Sequence, residues 1–327
     1  MGSAVVGLGI GTEHVRAMRR QPERFQVRAV CDPDDTRSTA VAERIGADVQ
    51  PLDEILRRDD IDLVALCTPP HLHREQIEQV LAAGKHCVCE KPLVATLAHL
   101  DELEALERAS AGSLMPVFNY RYGHGLQRLK LLIDRGLTGR LYSASMILAW
   151  RRRAAYYSVP WRGKKATELG GILLSHAVHG LDAFLYLLGP PAAVVARTAT
   201  LVNPIETEDT AAAILEMPDG ALITVSATLG SAEEMSQHRF AFERVSAASG
   251  LEPYTFTDDP WTFTPDTEDD RAAIDEALAG YVPRRDGWTG QYERLADALD
   301  AGERPPVTID DARAVIELVL EMYGEGT

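Results

Sequence analysis

Val5-Val6-Gly7-Leu8-Gly9-Ile10-Gly11-Thr12 follows an apolar start at residues 4–8 and leads into an amphipathic stretch at residues 12–20. Glycines at a strand-to-helix junction allow a tight turn and let backbone amides approach an anion, which the helix N-terminus also attracts. The pattern G-x-G-x-x-G is met at Gly7 and Gly9; Thr12 takes the third glycine position and Gly11 comes one residue early. At the start of a β-α-β series, the stretch reads as a turn around the pyrophosphate of a dinucleotide, lined by Gly7, Gly9, Ile10, Gly11 and Thr12. Asp32 ends the next apolar run, 21 residues after Gly11. A carboxylate there accepts hydrogen bonds from the adenosine ribose and repels a 2′-phosphate. NAD is the expected cofactor, with Arg37 the residue that would admit NADP.

Outward from this turn, apolar runs at residues 25–31, 61–67, 86–89 and 114–118 alternate with helical stretches at residues 36–45, 73–83 and 96–110. Continuous apolar strands between helices predict a parallel sheet covered on both faces, a doubly wound Rossmann domain over residues 1–120. The pattern then changes. A helix at residues 125–135 precedes β-rich runs at residues 141–150, 193–200, 210–217, 221–228 and 239–245, and Met217-Pro218-Asp219-Gly220 reads as a hairpin turn between two of them. Helices are expected at residues 173–188 and 310–323, the second opened by a capping box at Thr308 and Asp311. Residues 121–327 therefore form a second α/β domain with an open, mostly antiparallel sheet.

Composition removes several classes of function. With Lys+Arg 33 against Asp+Glu 49, the net charge is −16, unsuited to tracking nucleic-acid phosphates. No apolar run approaches the length of a membrane span, and Met1-Gly2-Ser3 enters the first strand without a basic segment, so neither a membrane nor a secretory signal is expected. Cys31, Cys67, Cys87 and Cys89 lie in or at the ends of apolar runs and read as buried thiols of a reducing, cytoplasmic compartment. Their spacing suits no metal, and none is expected. Residues 252–276 carry nine acids and one base, a solvated and mobile surface; residues 151–165 carry six bases and no acid, an exposed loop or a positive rim over an anionic ligand.

Further motifs follow in order: Cys67-Thr68-Pro69-Pro70-His71-Leu72-His73, Ala83-Gly84-Lys85-His86, Glu90-Lys91-Pro92-Leu93, Asn119-Tyr120-Arg121-Tyr122, Trp161-Arg162, and Gly170-Gly171 before His179-Gly180-Leu181-Asp182. Together they make the chain resemble the glucose–fructose oxidoreductase, inositol dehydrogenase and rhizopine-catabolism (Gfo/Idh/MocA) family over nearly its whole length. The resemblance implies oxidation or reduction of a secondary alcohol on a sugar or polyol with NAD(P), and a homodimer or homotetramer built through the C-terminal sheet. It also implies that Thr68, Pro69 and His73 line the nicotinamide side, that Glu90 lies near the ribose, and that Asn119, Trp161 and Arg162 lie beside cofactor or substrate.

The chemistry asks for one more group. Hydride transfer needs the carbinol carbon about 3–3.5 Å from the nicotinamide, and something must take the hydroxyl proton. Only five of the 33 basic residues are lysines, so Lys91, just before Pro92, stands out. Arginine does not deprotonate, whereas a lysine buried beside a cationic nicotinamide is lowered toward a usable pKa. His179, with His176 three residues before it on one helix face, is the second acid–base candidate. Family members commonly carry Asp four residues before this histidine; here the residue is Ser175, which puts the usual relay in doubt and makes His176 a substitute to consider. Tyr120, Arg121, Ser175 and His176 join Lys91 and His179 as candidate substrate contacts. Two other functions share these features: an NAD-retaining glycosidase or lyase working by oxidation, elimination and reduction, and a non-catalytic NAD-binding regulator.

Overall fold

The computed structural model describes residues 1–258 and 260–324. These divide into one compact unit of Met1–Phe118 with Trp288–Arg313 and another of Asn119–Gly287 with Ala314 onward. The first unit alternates β1 (Gly2–Val6), α1 (Gly11–Arg19), β2 (Gln26–Cys31), α2 (Asp35–Ile45), β3 (Asp48–Val49), α3 (Leu52–Leu56), β4 (Leu63–Leu66), α4 (His73–Ala82), β5 (His86–Cys89), α5 (Leu97–Ala109) and β6 (Leu114–Pro116). All five strand pairings are parallel, in the order β3-β2-β1-β4-β5-β6. The order reverses between β1 and β4, and in such sheets ligands bind beyond the carboxyl ends of the strands at that point. Residues 7–12 follow β1 there, and Thr68-Pro69 follow β4.

The second unit holds α6 (His124–Asp134), β7 (Leu141–Arg151), the short α7 (Lys165–Glu168), a π-helical turn at Leu173–Ala177 running into α8 (Val178–Leu188), then β8 (Ala193–Ala199), β9 (Thr210–Glu216), β10 (Leu222–Thr228), β11 (Gly230–Phe242), β12 (Val245–Ala248), β13 (Thr262–Pro265) and α9 (Glu268–Ala279). Its seven strands run β13-β12-β11-β7-β10-β9-β8, antiparallel except for β7 with β10. Alternate residues of β9 and β10 are buried and exposed, so one face of the sheet packs on a core with Leu181, Phe184, Ile223, Val225 and Phe240, and the other is open. The Met217–Gly220 turn forms as expected, closed by the Gly220 N–H on the Met217 carbonyl at 2.8 Å, with Gly220 at φ +85°. The helical run Lys165–Leu188 is long and apolar enough to cross a membrane by composition, but most of it is buried inside the unit, as a core helix is.

Two expectations need correction and a third needs an addition. Residues after 121 are not all in the second unit: α10 (Gly287–Asp300) from Trp288 on, and α11 (Ile309–Tyr323) as far as Arg313, belong to the first. They return because their contacts there are long in sequence, such as Gln291 Oε1 accepting the Phe118 N–H at 3.2 Å. The strand expected at residues 239–245 is the end of a longer β11, which turns at Glu243-Arg244 into β12. Ser231, Glu233 and Glu234, at a register break against β7, hid its first half. The acids of the acidic stretch are mostly exposed, as expected, but the stretch also carries regular structure. Phe256 and Trp261 are buried, β13 pairs with β12, and the acids Glu268, Asp269 and Asp270 form the first turn of α9, where the helix dipole favours them. Thr267 caps that helix by accepting the Asp270 N–H at 3.1 Å. Asp259, part of the same stretch, lies outside the described residues.

The turn Asn119–Tyr122 is tied to α8 by a buried ion pair: Arg121 donates through Nε and Nη2 to both oxygens of Asp182, at 2.8 and 2.6 Å. With side chains 5% and 1% exposed, neither group has water to replace the other. Asp182→Ala should therefore cost about 3–5 kcal/mol in chemical denaturation, and Arg121→Met in the same chain should recover much of that. A loss below about 1 kcal/mol for Asp182→Ala would show the pair to be as weak as one on the surface.

Candidate active site

Gly7 sits at φ +87°, and a Cβ there would lie 2.5 Å from the Cys67 carbonyl oxygen, so only glycine lets β1 and β4 deliver their loops side by side. A Cβ on Gly11 would meet Val5 Cγ1 at 3.0 Å and Cys67 Cβ at 3.3 Å. Gly11 thus provides the close helix–strand packing expected of a third glycine, while Thr12 turns its hydroxyl onto the Gly9 carbonyl. A Cβ on Gly9 would meet nothing within 4 Å. The amides of Gly7 and Leu8 are used internally, on the Cys31 carbonyl and on Asp32. The open surface lies at Gly9, exposed Ile10 and the start of α1, and a pyrophosphate fits it.

Asp32 is more engaged than a bare ribose ligand. Its buried carboxylate accepts the Leu8 N–H at 2.6 Å and the Asp34 N–H at 2.9 Å, and Arg37 stands 3.3 Å from it. Arg37 is also 3.3 Å from Asp34, so one cation lies between two carboxylates and the local charge stays negative.

Thr68 donates its hydroxyl to Gln76 at 2.5 Å, and Pro69 is half-buried beside it. His73 is fully buried, with ring nitrogens 2.9 Å from the Thr68 carbonyl and 2.8 Å from that of Pro92. Burial lowers its pKa. It braces the loops after β4 and β5 from within rather than lining an exposed surface. Glu90 directly follows β5 and is buried; its Oε2 accepts the backbone N–H of half-buried Lys91 at 3.2 Å, and the Lys91–Pro92 peptide is cis. Glu90 Oε1 lies 3.0 Å from His14 Nε2, and His14 Nδ1 lies 2.7 Å from the Tyr292 hydroxyl. Sequence reading missed both of these partners. A histidine one turn into the helix after the glycines was the one available signal; nothing local marks Tyr292.

In the second unit, His179 near the start of α8 stacks on Tyr120, ring centroids 4.4 Å apart and planes at 14°. The next residue, Gly180, offers its carbonyl to His238 Nε2 at 3.2 Å, and burial pushes His238 down to about 4, so it donates as a neutral ring. Asn119 is buried, and its Oδ1 finds no hydrogen-bond partner among the described residues. Glu208 caps the segment leading to both histidines: it accepts the N–H groups of Gly171 at 3.0 Å and Leu173 at 3.1 Å, and the Tyr323 hydroxyl at 2.7 Å.

Ser175 donates to the Gly171 carbonyl at 2.6 Å and lies 2.7 Å from His176 Nδ1. His176 Nε2 faces Arg152 Nε and the Tyr156 hydroxyl, each at 3.2 Å. Both ring nitrogens of His176 are thus engaged locally. Arg162 stacks over Trp161 at 4.2 Å and over Tyr156 at 4.0 Å, bonds the Tyr156 hydroxyl, and pairs with Glu168 at 3.4 Å. The basic stretch therefore splits. Arg152 and Arg162 are packed among aromatic rings, while Lys164 and Lys165 are exposed. Arg121, expected at substrate, is instead directed at Asp182.

A nucleotide-binding sheet with its glycine turn, joined in one chain to an α/β unit carrying a histidine helix, defines a two-domain dinucleotide-dependent oxidoreductase class. A family model for the Gfo/Idh/MocA oxidoreductases, with an NAD-binding Rossmann fold, matches residues 1–118, and one for the Gfo/Idh/MocA C-terminal domain matches residues 126–245. The chain belongs to this family. Inositol 2-dehydrogenase of Rhizobium meliloti is 28% identical over 244 residues, 72% of each chain. 2,7-Anhydro-N-acetylneuraminate hydratase of Mediterraneibacter gnavus is 31% identical over 192 residues, a match spanning 58% of this chain and half the length of that protein. Among solved structures, the WlbA dehydrogenase from Bordetella pertussis, in complex with NADH and UDP-GlcNAcA, superposes with a TM-score of 0.85 at 26% identity, covering 99% of this chain and 95% of that one.

The flanked Arg37 generates a prediction. Because Asp32 and Asp34 leave the ribose end negative, kcat/KM should favour NAD over NADP by about tenfold or more. Asp34→Asn should narrow that gap by releasing Arg37. Steady-state kinetics with both cofactors decide it, and a wild-type preference for NADP would overturn it.

Proposed function

We propose that the chain moves a hydride between NAD and a secondary alcohol or ketone of a sugar, polyol or sugar acid. The observation carrying this reading is Lys91, the one lysine at the carboxyl ends of the nucleotide-binding strands, seated after β5 by its backbone bond to buried Glu90. NAD, when bound, supplies the hydride acceptor or donor. Residues 7–12 hold its pyrophosphate and Asp32 faces its ribose. Lys91 Nζ takes the hydroxyl proton in oxidation and returns it in reduction. His179, oriented by its stack on Tyr120, hydrogen-bonds the same hydroxyl. The inositol and nucleotide-sugar dehydrogenases among the similar proteins support a carbohydrate substrate. Four free thiols, three of them fully buried with raised pKa values, support a reducing compartment such as the cytoplasm.

A second reading has one specific support, the similarity to a hydratase. It is an NAD-retaining elimination or hydration, in which oxidation and re-reduction cancel. NAD that stays bound through purification, with sugar turnover and no net NADH, would establish it over the first.

The acid–base assignment is tested with a panel of sugars, inositols and polyols, each set beside its carboxylated analogue, assayed for NADH formation. On the best substrate, Lys91→Met should lower kcat by about 10²-fold or more, with NADH affinity kept because residues 7–12 are untouched. His179→Ala should also lose rate, and the double variant should be little worse than Lys91→Met. Near-normal turnover by Lys91→Met removes the assignment.

We propose further that a second copy of the chain covers the open sheet face. Val195, Ile214 and Leu222 are exposed there, among small residues such as Ala212, Ser145, Thr224 and Ser226 and a few charged ones, Arg197, Glu216 and Arg239. Such a face suits stacking sheet on sheet. Ile214→Glu with Val195→Glu should convert a dimer or tetramer into a monomer in light scattering. A monomeric wild-type chain would sink the idea.

A further inference from the structure

Tyr292, His14 and Glu90 form a buried chain of polar groups that the proposed reaction does not use directly. They come from three separate parts of the first unit: α10, α1 and the residue after β5. The Tyr292 hydroxyl is 2.7 Å from His14 Nδ1, His14 Nε2 is 3.0 Å from Glu90 Oε1, and Glu90 Oε2 receives the Lys91 N–H. Tyr292 and His14 are fully buried. Tyr292 and Trp288 also pack edge-on against the His14 ring, at centroid distances of 5.7 and 6.4 Å.

The directions of these bonds follow from chemistry. The Glu90 carboxylate can only accept, so the His14 ring proton sits on Nε2, and Tyr292, whose pKa burial with the nearby Cys67 and Glu90 raises well above its usual value, keeps its proton and has Nδ1 as its acceptor. His14 Nδ1 must then accept, which leaves the only ring proton on Nε2, aimed at Glu90. Glu90 accepts from both sides, through Oε1 from His14 and through Oε2 from Lys91 N. One tyrosine hydroxyl, 278 residues after His14 in the chain, thus sets the tautomer of a histidine that fixes the carboxylate next to Lys91.

We propose that Tyr292 and His14 are positioning residues for the Glu90–Lys91 segment, acting through this relay without touching substrate. The proposal rests on the reading of Lys91 as the acid–base group. It explains why α10 returns to the nucleotide-binding unit: it closes the histidine's hydrogen bonding from the side opposite Glu90. It also links the helix that opens at the glycine turn to the lysine after β5, so the pyrophosphate and proton-transfer ends of the unit share one support.

Glutamine at position 14 can place an amide N–H where Nε2 stood, whereas asparagine reaches only the Nδ1 position. The test therefore compares His14→Gln, His14→Asn and Tyr292→Phe on the best substrate of the panel. Thermal melting and NADH affinity by fluorescence are measured alongside. A displacement of Lys91 too small to unfold the unit is worth about tenfold or more in rate. His14→Asn and Tyr292→Phe should lose about that much kcat, with KM for the sugar and affinity for NADH little changed. His14→Gln should restore most of the rate. In ¹⁵N-histidine spectra, the resonance missing from His14→Gln should report an Nε2–H tautomer in the wild type, and Tyr292→Phe should shift it toward a mixture. Equal activity of the Gln and Asn variants, or a Tyr292→Phe enzyme with wild-type kcat and an unmoved tautomer, overturns the proposal and leaves the three residues as packing. A wild-type chain that reacts with nothing in the panel fails differently: it removes the role of Lys91, and the relay then has no reaction to support.

Discussion

At Gly7, backbone meets backbone. A side-chain carbon there would lie 2.5 Å from the Cys67 carbonyl oxygen, and the residue's φ of +87° is strained for any other amino acid. Because no Cβ intervenes, the loops after β1 and β4 leave the sheet side by side, at the point where strand order reverses. Gly11 extends the closeness one turn further by letting α1 sit down on Val5 and Cys67. The seating of α1 then determines two things. It leaves the backbone at Gly9 and Ile10 open toward an anion, and it carries His14 inward to meet Glu90 just after β5. The cofactor turn and the Glu90–Lys91 segment are therefore consequences of one packing constraint.

Polar groups are buried in both units, and several hold each other or the backbone in place. Asp32 accepts two backbone N–H groups and holds Arg37; Lys85 donates to the carbonyls of Arg58 and Ile61 at 2.7 Å each; Arg121 and Asp182 satisfy each other. An unmatched buried donor or acceptor costs about 1–3 kcal/mol, so such groups shape the fold around them. That makes an exception informative. Asn119 Oδ1, buried and without a partner among the described residues, sits on the same short turn as Tyr120, which stacks on His179.

Much of this was legible from local signals. The glycine turn, Asp32 and the alternation of apolar runs are each readable within about 30 residues, because βαβ units are local objects. The hairpin at Met217–Gly220 was legible because Pro and Gly impose its backbone. Other features were not, for reasons that differ. The order within residues 252–276 was not legible because counting charge hides position: three of the acids sit in the first turn of α9, where they stabilise a helix. The first half of β11 was lost because Ser231, Glu233 and Glu234 interrupt its pattern. Tyr292 was invisible because a residue contributing one hydroxyl to a histidine almost 280 positions earlier leaves no periodicity behind. The pairing of Arg121 with Asp182 was not legible because charge alone does not tell a ligand-binding guanidinium from one buried against its own carboxylate.

Ser175 shows how one substitution reorganises what surrounds it. A carboxylate four residues before His179 would sit one helical turn away, within reach of sharing a proton with it. Serine at that place turns its hydroxyl back onto the Gly171 carbonyl and accepts from His176 Nδ1. That bond, with Arg152 donating to Nε2, engages both nitrogens of His176. The guanidinium of Arg152 is itself enclosed by Trp150, Tyr156 and Tyr254 and paired with Glu234. On the proposed reading, position 175 offers His179 a hydroxyl already bonded elsewhere, and proton transfer is assigned to Lys91. That is the setting in which a buried support for Lys91, built from Tyr292 and His14, has the most to contribute.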